Sequence, residues 1–111
     1  MITLQDIKEI ANTTLSNREL FSFMIQVKSQ MQVELRDKLN FKEVNDIQNG
    51  IKNENIIDKM ISIASIQVSS YKEKPSNIYA IAMAAATILK ELDYPEFVSN
   101  EGLLSLIKRM Q

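Results

Sequence analysis

The chain has 111 residues, with 13 Lys and Arg against 14 Asp and Glu, no cysteine, no histidine, two glycines and two prolines. That length suits one domain with one core, here residues 1–111, and a 45% hydrophobic content with so few chain breakers excludes a disordered or low-complexity chain. The missing Cys and His remove disulfides, thiolate nucleophiles, imidazole bases and the usual zinc ligands, and a net charge of −1 provides no global field toward nucleic acid or anionic membrane.

Taken in chain order, the clearest signals are helix starts. Thr3 with Asp6 reads as a capping box, stapled by Ile2 and Ile7. Ser16 with Glu19 repeats it between Leu15 and Leu20, and Asn40 with Glu43 repeats it again between Leu39 and Val44. From about 17 to 39, Leu20, Met24, Val27, Met31, Leu35 and Leu39 recur at three- and four-residue intervals, which predicts one helix roughly 35 Å long. Its first half also carries Phe21, Phe23 and Ile25, so it is apolar nearly all round and is expected to touch two neighbouring elements; an oligomer or partner surface at these three residues is the other reading. A shorter helix from about Phe41 to Gly50 is expected to present Val44, Ile47 and Ile51 as its apolar face before Gly50 and Asn53 interrupt it.

Asn53 is the natural cap of the next helix, with Ile57, Met60, Ile61, Ala64, Val68 and Tyr71 on one face and Ile56, Ile63 and Ile66 widening it. Positions 72–75 form a polar break, after which Ser76 is expected to cap a helix running to Leu92. The uncharged run from Pro75 to Leu89 falls short of the roughly 18 apolar residues of a membrane span; it is read as a core helix. Residues 54–92 are therefore expected to form a central apolar helical hairpin. A bend at Asp93-Tyr94-Pro95 leads to a closing amphipathic helix that presents Leu103, Leu106, Ile107 and Met110. The fold class is all-α, a compact bundle of five to six helices.

Catalytic chemistry finds little foothold. Only carboxylates, lysines, tyrosines and hydroxyls remain, the acidic residues fall mostly at caps and solvent faces, and the two glycines form no phosphate loop. No cofactor, metal site or enzyme activity is expected. Five methionines at helical spacing, Met24, Met31, Met60, Met83 and Met110, read as core filler. The densest acidic region is Glu91, Asp93, Glu96 and Glu101 around a bend that also holds Tyr94 and Phe97. The region reads either as a solvated loop with a helix-start charge or, functionally, as a protein-binding patch of Glu91, Asp93, Tyr94, Glu96 and Phe97 whose aromatic rings anchor a basic partner surface.

Ile7, Ile10 and Ala11 followed by Leu15-Ser16 and Leu20 resemble a helix-turn-helix, but with a turn about one residue short and with Arg18 as the sole early base-reading cation. The N-terminus has no basic and apolar leader pattern, and a cytoplasmic location is expected. The abundance of Ile, Lys and Asn fits an AT-rich coding region of bacterial or phage type. Together these features point to a small protein that binds another protein, with a stoichiometric inhibitor or immunity protein against a toxin or enzyme as the leading expectation. A homo-oligomeric or assembly subunit is one alternative and a DNA-binding protein is the other.

Overall fold

Local capping chemistry sets most of the boundaries in the computed structural model, which describes residues 2–71 and 74–111. Among the described residues six α-helices run in the order α1 (Leu4–Ser16), α2 (Arg18–Lys38), α3 (Phe41–Gln48), α4 (Glu54–Ser70), α5 (Pro75–Glu91) and α6 (Asn100–Met110), with a 3-10 turn at Pro95–Val98 before α6. The protein is all-α, with no strand among the described residues.

The capping boxes of Thr3 with Asp6 and of Asn40 with Glu43 both form, and Asn53 caps α4 by accepting from the Asn55 amide. The box expected at Ser16 does not form. Ser16 is the last residue of α1 and its hydroxyl donates back to the carbonyls of Asn12 and Thr13, while Asn17 accepts from the amides of Glu19 and Leu20. Asparagine caps as well as serine, and one extended residue closes α1 and opens α2 at once. Ser76 is likewise inside α5, which begins at Pro75 without a side-chain cap. Proline at the first helical position has no N–H to satisfy and arrives with helical φ. Residues 72 and 73 of the expected polar break lie outside the described residues.

The expected pairing of α4 with α5 is present, but the centre belongs to α5 alone: it packs against α1, α2, α4, α6 and the 3-10 turn. Its run of buried alanines, Ala80, Ala82, Ala84, Ala85 and Ala86, permits that close approach, and Ile81, Ile88 and Leu89 fill the spaces between neighbours. Val27, Met31 and Leu35 of α2 and Leu103, Leu106, Ile107 and Met110 of α6 close over it. The methionines are core filler as expected: Met31, Met60 and Met110 are buried, and Met24 and Met83 pack partly buried against the same cluster.

After α5 the chain reverses through a Schellman closure. The Tyr94 amide donates to the Leu89 carbonyl (2.8 Å) and the Asp93 amide to that of Lys90 (3.0 Å), with Asp93 in the left-handed region at φ 75°. That turn aims Tyr94 and Phe97 back into the protein. The 3-10 turn then lies so close to α6 that a Cβ on Gly102 would sit on the Glu96 carbonyl oxygen and 2.7 Å from Phe97 Cα. Among the described residues no helix is long and apolar enough to cross a membrane.

Candidate functional site

The acidic bend is built differently from the sequence expectation. Tyr94 is 3% exposed and Phe97 7%, so both rings serve the core and present no anchor to a partner. The reason is the Schellman closure, whose hydrophobic residue after the left-handed position packs inward. The Tyr94 hydroxyl accepts from the Asn53 amide (2.8 Å) and donates to its carbonyl (3.3 Å), which satisfies a buried phenol internally. Two of the acids are also engaged: Glu91 pairs with Lys28 (2.9 Å) and accepts from Gln32 (3.0 Å), and Asp93 pairs with Lys52 (3.3 Å), whose ammonium lies 4.7 Å from the Tyr94 ring centre. Glu96 and Glu101 remain exposed.

Helix α3 is turned inside out. Glu43 and Asp46 are buried, whereas Phe41 is 92% exposed and Val44 and Ile51 face solvent, so of the three apolar residues expected to pack only Ile47 does. Polar partners below the helix decide this orientation. Lys59 of α4 donates to Glu43 and to the carbonyl of Lys38 at the end of α2 (2.9 Å), and Asn53 donates to Asp46 (2.8 Å) with Lys42 beside it (3.2 Å). Burial by itself would raise the Glu43 carboxyl, but the Lys59 and Asn40 hydrogen bonds outweigh it and hold the group below the ordinary carboxylate range. The Asn53 hydrogen bond, with Lys42 and against burial, does the same for Asp46.

The third surface is one flank of α2. At about 100° per residue, Arg18, Phe21, Ile25, Gln32 and Arg36 share one side of the helix, while Val27, Met31 and Leu35 face the core. Phe21 is 45% and Ile25 48% exposed, and Leu15 joins them across a groove shared with Arg18 and Phe21. Phe23 does not belong to this patch. It lies about 160° from Phe21 around the helix, where it packs edge-on to Tyr71 at 5.0 Å between ring centres. The expected surface of Phe21, Phe23 and Ile25 therefore divides into an outward pair and an inward-packed ring.

At its C-terminal end the flank opens into a cleft of about 130 Å³ between α2 and α5, floored by Leu35, Leu39, Ile88 and Leu92 and rimmed by Gln32, Arg36 and Glu91. A typical small-molecule site needs roughly 300–1,000 Å³, so this one has room for a side chain. Apolar periodicity alone does not point to Arg36 or the cleft; the signal in the sequence is the 18-residue spacing of Arg18 and Arg36, five helical turns that return to the same side.

The junction of α1 and α2 is one residue, Asn17, where a helix-turn-helix uses a turn of about three to four. Among the described residues no three His, Cys, Asp or Glu side chains gather as metal ligands. No family model, curated protein or solved structure matches the chain.

Proposed function

We propose that this chain is a small protein-binding domain that acts by covering part of a partner, as a stoichiometric inhibitor or immunity protein does. The observation that carries the reading is the α2 flank, where Phe21 and Ile25 stand half-exposed between arginines on a helix whose other side builds the core. Aromatic and arginine side chains held on a rigid element are the residues that dominate protein interfaces. The acidic bend offers a partner no aromatic anchor, because its two rings are buried.

The test is a photo-reactive residue at Ile25, compared with one at the exposed Gln30 on the far side of α2, activated in the native cell. A stoichiometric adduct to one protein from position 25 and none from 30 is the expected result. Equal labelling from both, or none from either, would refute the reading. A homo-oligomeric role draws support from a separate observation, the 92% exposure of Phe41 on the outward face of α3. A mass that rises with concentration and falls back in Phe41→Ser would favour it.

A further inference from the structure

We infer that the α2 flank docks an acidic amphipathic helix of another protein, laid from Arg18 to Arg36 with one bulky apolar side chain seated in the cleft between α2 and α5. The inference rests on the protein-binding reading above and adds the chemistry of the partner.

Charge segregation on α2 is the first argument. Its three acids, Glu19, Glu34 and Asp37, lie off this flank, while Arg18 and Arg36 lie on it and make no ion pair or hydrogen bond among the described residues. Lys28, at the edge of the same side, is already neutralised by Glu91. Two uncompensated cations thus face solvent at the ends of a flank that carries Phe21 and Ile25 in its first half and the apolar cleft at its far end, a pattern complementary to carboxylates on an opposing surface.

Length is the second argument. Arg18 and Arg36 are separated by five helical turns, about 27 Å. A partner helix of equal length puts carboxylates near its two ends against the two guanidinium groups, with its apolar residues at three- and four-residue spacing over Phe21 and Ile25.

Volume is the third. The cleft holds about 130 Å³, slightly less than the roughly 150 Å³ cavity that accepts one benzene, so it takes a single Leu- or Phe-sized side chain. Nucleic acid fits less well, because Arg18 and Arg36 stand about 27 Å apart and Lys28 between them is already paired with Glu91, whereas a phosphate backbone needs closely spaced cations. A second copy of this chain also fits less well: the outward face of α3, where Phe41 and Val44 are exposed, has its carboxylates turned inward.

The test uses a fluorescent, end-blocked peptide of about five helical turns, with Leu at helical spacing flanked by Glu, and a sibling in which every Glu is Lys. Anisotropy titrations against the full chain at low and high salt are expected to show saturable binding of the Glu peptide alone. Arg18→Gln together with Arg36→Gln should weaken it about tenfold, and Phe21→Ala with Ile25→Ala about tenfold as well. The arginines are exposed and Gln has similar helix propensity, so circular dichroism should report an intact fold.

Equal binding of both peptides, or no effect of the arginine pair, overturns the inference. So does preferential retention of duplex DNA that the arginine variant abolishes, and so does a dimer that Phe21→Ala dissolves. If Ile25 still crosslinks one partner while the Glu peptide fails, the protein-binding reading stands and the acidic helix falls.

Discussion

Replacing Lys59 with methionine should cost more than most single changes in this protein, because one ammonium secures two elements. It donates to the Glu43 carboxylate of α3 and to the Lys38 carbonyl that ends α2. The Glu43 side chain is 2% exposed and that of Lys59 is 31% exposed. Without the cation, the buried carboxylate keeps the Asn40 amide at 2.9 Å as its hydrogen-bond partner. Removing one member of a buried pair costs about 3–5 kcal/mol, and the partial exposure of Lys59 places this case near the lower end, about 3 kcal/mol.

Unfolding entropy of about 2.1 cal/mol/K per residue over 111 residues converts that loss to a fall in Tm of about 13 °C. Adding Glu43→Gln to Lys59→Met should recover at least half of it, since a neutral amide needs no counter-charge. Thermal melts of the wild type, both single variants and the double variant supply the cycle. A Lys59→Met loss below about 1 kcal/mol, or a double variant equal to the sum of the singles, would refute the account of α3 as a helix oriented by its buried carboxylates.

Acid should act on the same underside. Glu43 and Asp46 are held below their ordinary values of 4.5 and 3.8, so their stabilisation is complete above the unfolded-state values and is lost as pH falls through the depressed folded ones. Tm measured between about pH 7 and about pH 3 should therefore drop more steeply for the wild type than for Glu43→Gln with Asp46→Asn, and parallel curves would count against it. Gly102→Ala should destabilise by about 2 kcal/mol or more, because the new methyl meets backbone of the 3-10 turn, which cannot rotate aside as a side chain could; urea melts check this. Thr14→Val should leave stability unchanged or raise it by up to about 1 kcal/mol. The Thr14 hydroxyl is buried with no hydrogen-bond partner among the described residues, and a clear loss of stability in the melt would mean that the group is satisfied.

How far the surface could be read in advance differs from residue to residue. Asn40 with Glu43 was legible as a cap because both partners lie within one turn, but the same Glu43 also bonds Lys59, sixteen positions away, and no local rule announces that. Val44 and Phe41 illustrate the consequence: helical spacing shows that α3 has two faces, and the distant lysine and Asn53 decide which face turns inward. Tyr94 stands out in the sequence as an aromatic anchor for a partner, yet its ring packs inward because the left-handed Asp93 redirects the chain and Asn53 receives its hydroxyl.

By itself the sequence determined the helical class, the starts at Thr3, Asn40 and Asn53, the span of α2 and the inward face of α6, because capping and 3.6-residue periodicity act between neighbours within a turn or two. Only the tertiary structure decided that α5 is the centre, that Phe21 and Phe23 part company, and that α3 buries its acids and exposes its phenylalanine. Those outcomes depend on which helices meet, and burial and ion pairing are settled between groups far apart along the chain.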